Sequence, residues 1–202
     1  MEKSFSISGW FFIFMSVAAV SFCQTEAPLE VIRLSNQQIL DIYAAHEQIA
    51  GEEEDEIFRI MNRVTDFEKI SGITIMTFCE KLSPEECEEF DRVFQKLLHI
   101  SSIKKLGRYR ADRFDYLGEK VDGETAVVRT IAYYKEDEIR LDYYLERMNG
   151  AWMIVNYVSD DVDTIRNYKK QFSRILRKES FRQLIDRLER KIADYENEDD
   201  VD

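Results

Sequence analysis

A chain of 202 residues, 45% of them hydrophobic and 12% aromatic, has the length and apolar content for one domain with a sizeable core. Its formal charge of −12 is concentrated in two acidic runs, Glu52 to Glu56 and the tail from Glu196 to Asp202, and the remainder is close to neutral. This acidic balance argues against nucleic acid as a partner.

The first 23 residues read as a secretory signal. Lys3 supplies the positive charge, Trp10 to Val20 form a short apolar core, and small residues follow. That core is shorter than the ~20 apolar residues a membrane span needs. Cleavage after Cys23, with Ser21 at the −3 position, would begin the mature chain at Gln24. The rival reading is a lipoprotein signal, Val20-Ser21-Phe22-Cys23, with Cys23 acylated; bulky Phe22 argues against it. Residues 24–34 then form a mature N-terminal segment, 35–195 the folded domain, and 196–202 an acidic disordered tail.

Within the domain, Ser35-Asn36-Gln37-Gln38 has the form of a helix capping box. The helix that follows groups Ile39, Ile42, Tyr43, His46 and Ile49 and ends at Gly51, with an acidic loop after it. A short helix carries Ile57, Ile60, Met61 and Val64. Thr65-Asp66-Phe67-Glu68 is a second capping box and opens a segment through Phe78. Its centre, Ile73-Thr74-Ile75, is β-branched and would suit a strand by propensity alone, whereas the spacing on both sides is helical. Ser83-Pro84-Glu85-Glu86 is the clearest helix start in the chain: N-cap Ser, Pro at N1, Glu at N3. It opens a helix through Cys87, Phe90, Phe94, Leu97 and Leu98, reaching Leu106. Cys79 and Cys87 flank the break between these two helices; in an oxidising compartment they either form a disulfide or remain buried thiols. No nearby His suggests a metal site.

From Arg113 the period changes from helical to alternating. Phe114 and Tyr116 mark one strand, Asp122-Gly123 a turn, and Val127 to Tyr133 a second strand. Ile139, Leu141, Tyr143 and Leu145 alternate with polar positions in a third. Asn149-Gly150 turns the chain into a fourth, which begins at Trp152. Two amphipathic helices close the chain, one through Tyr168 and Phe172, the other through Phe181, Leu184, Ile185, Leu188 and Ile192. Helices first, a meander of about four strands, and helices last make an α+β fold: a curved antiparallel sheet packed against N-terminal and C-terminal helices.

Several of these residues carry a family resemblance: Asp66-Phe67 through Leu82-Ser83-Pro84-Glu85-Glu86, then Phe90, Phe94 and Leu97-Leu98, Trp152 just after the hairpin turn, and Asn167-Tyr168-Lys169-Lys170-Gln171-Phe172. In that order they resemble the MlaC family, periplasmic phospholipid carriers also known as toluene-tolerance proteins, over roughly Ser35 to Tyr195. The resemblance implies a deep apolar pocket enclosed by sheet and helices. It places Phe67, Ile70, Phe90, Phe94, Leu97, Tyr116, Val128, Tyr143, Leu145, Trp152, Tyr157, Val162, Ile165 and Phe172 on that pocket; the alternative for each is ordinary core packing. It also implies an exported monomer with a phospholipid ligand and no cofactor. Its partners would be an inner-membrane lipid ABC transporter bearing a lipid-binding ring and an outer-membrane lipoprotein complex.

The sequence departs from the family pattern at Asp160-Asp161-Val162-Asp163-Thr164, where the family has Glu-Gly-Val-Ser-Leu, and at Asn156, where it has Asp. Asp in place of Gly at 161 alters the turn if that position needs a positive φ. Two other functions stay open. One is an exported module of similar outline that binds a protein partner and no lipid, for instance through the basic residues Lys169, Lys170, Arg174, Arg177 and Lys178. The other is a small enzyme of that outline, against which stand the absence of a phosphate loop, a nucleophile elbow or a zinc-protease motif, and the presence of only His46 and His99 as histidines.

Overall fold

The computed structural model describes residues 26–108 and 110–197. The signal segment with Cys23, and residues 198–202 of the expected tail, lie outside them. Six helices and one open five-stranded sheet make the α+β fold: α1 Pro28–Ala45, α2 Glu52–Val64, α3 Phe67–Cys79, α4 Pro84–Arg108, β1 Arg113–Asp122, β2 Thr125–Tyr134, β3 Asp137–Met148, β4 Ala151–Ser159, β5 Val162–Asp163, α5 Thr164–Leu176 and α6 Phe181–Asn197.

The capping box expected at Ser35 is not used. Pro28 starts α1, because a proline at the first helical position loses no hydrogen bond, and Ile32 anchors this extra length by burial. Ser35 sits inside the helix and its hydroxyl donates to the Ile32 carbonyl at 3.0 Å. The acidic stretch is likewise not a loop. Glu52, Glu53, Glu54 and Asp55 form the first turn of α2, where carboxylates complement the positive end of the helix dipole.

At the second capping box the N-cap is Asp66, whose carboxylate accepts from the Lys69 amide at 2.8 Å. Thr65 cannot serve, since it is drawn into a bridge with Ile154 at the edge of β4. The β-branched run in α3 is helical: Ile75 and Thr74 are buried, and the Thr74 hydroxyl donates to the Ile70 carbonyl at 2.7 Å. Packing overrides propensity here. The Ser83 box forms reciprocally, with the Glu86 amide donating to the Ser83 hydroxyl and the Glu86 carboxylate accepting from the Ser83 amide.

A disulfide joins Cys79, the last residue of α3, to Cys87 in the first turn of α4, with their Cα atoms 5.2 Å apart. Closing a loop with a sequence separation of 8 stabilises the fold by about 2.5 kcal/mol on the chain-entropy account. Reduction should therefore lower the melting temperature by roughly 5–10 °C. Paired thermal melts with and without reductant read this directly, and equal melting points would contradict it.

The strands run antiparallel in sequence order, β1 to β5. The hairpin turn between β3 and β4 uses Asn149 and Gly150 at φ 51° and 85°. A bulge separates the pairs Tyr144–Asn156 and Leu145–Ile154, leaving Val155 without a partner on β3. The fifth strand, not anticipated, is two residues long and folds back on β4 through Asp160 and Asp161, both at positive φ (45° and 64°). Position 161 thus needs the conformation glycine adopts freely, and here an aspartate adopts it.

Alternation along the strands gives the sheet two dissimilar faces. On the inner face Ala126, Val128, Leu145, Trp152 and Ile154 form a core with Ile32 of α1 and Val64 of α2. At the Thr65 bridge the chain crosses the sheet edge. Past it, Lys69 of α3 is ion-paired with Glu146 on the opposite face. A second core lies between the helices of that outer layer, around Phe90, Phe94 and Phe172 of α4 and α5 and Leu184 and Ile185 of α6. No described helix is long and apolar enough to cross a membrane.

Candidate functional site

Strands whose apolar residues alternate cover only one face. Here consecutive pairs are apolar, Val127-Val128, Tyr143-Tyr144 and Ile154-Val155, so both faces carry nonpolar surface. The inner face is filled. Its polar groups are satisfied as well: Asn36 donates to the Tyr116 hydroxyl at 3.4 Å, and the Thr130 hydroxyl donates to the Leu141 carbonyl at 3.1 Å. Among the described residues no buried side-chain nitrogen or oxygen lacks a partner.

The outer face is only partly covered. Between it and helices α3 and α5 lies an open cleft of about 400 Å³, within the range of small-molecule sites. Ile73 of α3, Ile165 of α5, and Val127, Tyr144 and Val155 of the sheet supply its apolar lining. Lys120, Asp122, Thr125, Glu146 and Asn156 supply the polar part. The bulge helps to build it, because the residue it leaves over is Val155. Asn156 sets the far wall: its amide donates to Asp163 at 3.1 Å and its oxygen accepts from the Ile165 backbone at 3.4 Å, tying β4 to the start of α5.

The residues assigned to a pocket from the sequence fall into two packed cores with the cleft between them. Phe67, Ile70, Phe90, Phe94, Leu97 and Phe172 belong to the helical core, and Ile165 packs against it. Val128, Leu145 and Trp152 belong to the inner-face core, with Tyr116 and Tyr143 packed on it. Tyr157 is half-buried and pairs with Tyr143. Val162 is 52% exposed on β5. Of this set, Leu145 and Ile165 also line the cleft. Ile73, Val127, Tyr144 and Val155 were missed; the doubled apolar pairs in the strands were the signal that could have found the last three.

The acidic run at the β4–α5 junction is engaged in local structure. Asp160 accepts from the Arg140 amide at 2.9 Å, and Asp163 caps α5 through the Arg166 amide at 2.7 Å. The histidines occupy unrelated places. His46 lies 3.1 Å from Glu53 at the end of α1. His99 meets the Phe67 ring edge-on at 4.3 Å, and burial lowers its pKa. No group of three or more His, Cys, Asp or Glu side chains that could hold a metal occurs among the described residues.

Burial raises the hydroxyl pKa of three core tyrosines, Tyr43, Tyr143 and Tyr168, the last to about 12. A neutral form favoured in the fold contributes stability that is complete below the unfolded-state value of ~10 and lost as pH rises through the folded-state value. Alkaline unfolding should therefore set in above about pH 10 and coincide with tyrosinate absorbance. A melting temperature that stays flat through about pH 12 would contradict this.

Comparison with known proteins agrees with this architecture. In the solved structure of a phospholipid-binding protein from Ralstonia solanacearum, in complex with a phospholipid, the chain has the same fold, with a TM-score of 0.68 at 17% identity over 84% of this chain and 99% of that one. No curated protein matches the chain. Residues 34–190 match the family model described as MlaC protein, the match spans most of the sequence, and the chain belongs to the MlaC family.

Proposed function

We propose that this protein binds a glycerophospholipid in the cleft between the outer face of the sheet and helices α3 and α5. The observation that carries the reading is the cleft itself: a satisfied, filled core on one face of the sheet, and unfilled apolar surface on the other. Family membership and the phospholipid in the Ralstonia protein support the ligand class. The polar groups of the lining, Lys120 and Glu146 among them, suit a headgroup beside acyl chains.

The finer reading is a monomeric periplasmic carrier and not an enzyme. It would move phospholipid between an inner-membrane ABC transporter with its lipid-binding ring and an outer-membrane lipoprotein complex. Energetics suit shuttling. Each methylene buried gains ~0.8 kcal/mol whether the chain enters a pocket or a bilayer. Transfer between the two therefore sits near balance, and modest differences in partner contact set its direction.

Mass spectrometry of lipid released from protein exported in a bacterial host and purified without detergent tests this. Roughly stoichiometric phospholipid is expected. A folded, lipid-free protein would overturn the reading in favour of a module that binds only a protein partner.

A further inference from the structure

Helix α5 carries a second surface feature, which the cleft does not explain. Arg166, Lys169, Lys170, Ser173, Arg174 and Arg177 line a shallow groove of about 440 Å³. Their spacing places them on one face of the helix, while Tyr168 and Phe172 fill the core on the other. No carboxylate lines this groove, although the chain as a whole carries a charge of −12. Several cations elsewhere are paired with carboxylates, among them Arg33 with Glu30, Lys96 with Glu196 and Arg187 with Glu179. The five cations of this groove, four on α5 and Arg177 at its C-cap, form no ion pair with any described residue. Arg166 and Lys170, and Lys170 and Arg174, are like charges at i,i+4, an arrangement that weakens a helix by itself.

We propose that this face of α5 docks on an anionic phospholipid bilayer. A protein partner would be expected to meet an apolar centre with aromatic anchors, surrounded by polar groups. This groove is lined by long cationic side chains and one hydroxyl, and by no aromatic or aliphatic residue. Attraction to a charged membrane surface requires nothing more, and it adds up with each Lys or Arg brought near the headgroups. The position also fits. Ile165 lines the cleft and the next residue, Arg166, begins the groove, so a membrane held by α5 lies beside the cleft.

The test is vesicle sedimentation at low salt, with phosphatidylcholine alone or mixed with phosphatidylglycerol. Sedimentation reads attachment to the bilayer, since protein that only extracts a lipid stays in the supernatant, so the result is separable from cargo binding. Wild-type protein is expected to bind the mixed vesicles at least about ten-fold better, and to lose that preference in high salt. Lys170→Glu with Arg174→Glu should abolish the preference. The charge-matched pair Arg190→Glu with Lys191→Glu on α6 should reduce it far less. Lys170→Gln with Arg174→Gln, which adds no carboxylate to the helix, should also weaken binding and guards against misfolding of the first pair. Equal binding to both vesicle types, or equal losses from the α5 and α6 pairs, would overturn the proposal. So would binding of polyglutamate by protein that ignores both vesicles, which would point to an acidic protein surface.

Discussion

Phe172→Ala should lower stability by about 3–5 kcal/mol, near the upper end for a single core truncation. Phe172 is 1% exposed, and its ring lies 5.2 Å from Phe90, 5.0 Å from Phe94 and 6.1 Å from Phe78, so it joins α5 to both α3 and α4. Truncation removes edge-to-face contacts from three rings at once and leaves a void that rigid aromatic neighbours cannot close. For a chain of this size the melting temperature should fall by roughly 10 °C or more. Arg190→Ala, on the exposed side of α6, should change stability by no more than about 0.5 kcal/mol. Thermal melts of the two variants check this, and a fall of only a few degrees for Phe172→Ala would mean that the helical core is not a single packed unit.

Val127→Glu should remove bound phospholipid, with at least a ten-fold drop in lipid per protein. Val127 is half-buried and lines the cleft, while Val128 beside it is fully buried on the inner face. In the empty cleft a carboxylate at 127 can stay hydrated. A lipid tail would have to strip that water or stay out, and desolvating an unpaired charge costs several kcal/mol. The fold should survive, with the melting point nearly unchanged. Val128→Glu buries the same charge in a filled core and should unfold the domain. Lipid analysis together with circular dichroism separates the two. A folded Val127→Glu protein with normal lipid content would place the ligand elsewhere.

These two variants also show how far the sequence could be read. Phe90, Phe94 and Phe172 were legible as the apolar faces of regular helices, and the Ser83 capping box fixes the start of α4, but the family resemblance placed them on a pocket and they pack as core. The strands and their turns were legible because Asp122-Gly123 and Asn149-Gly150 punctuate them. The cleft was much less so. Its lining comes from α3, four strands and α5, and what makes it a cleft is incomplete coverage, a property of how layers pack that no local pattern encodes. The bulge that leaves Val155 over depends on register between two strands, and the family resemblance pointed to residues in both layers without saying which gap separates them. The start of α1 was misplaced for a related reason. Ser35 has the local form of a cap, but burial of Ile32 against the sheet outweighs it.

The junction at Thr65 has one further consequence. Beyond the Lys69–Glu146 pair, α3 is held to the sheet at its beginning, where Thr65 bridges Ile154 and the Asp66 amide donates to the Ile154 carbonyl at 2.9 Å. At its other end it is covalently joined to α4 rather than to any strand. A lever fixed at one end opens widest at the other. Movement of α3 away from the sheet would therefore turn about Thr65, grow past Ile73 toward Cys79, and be shared with α4 through the disulfide.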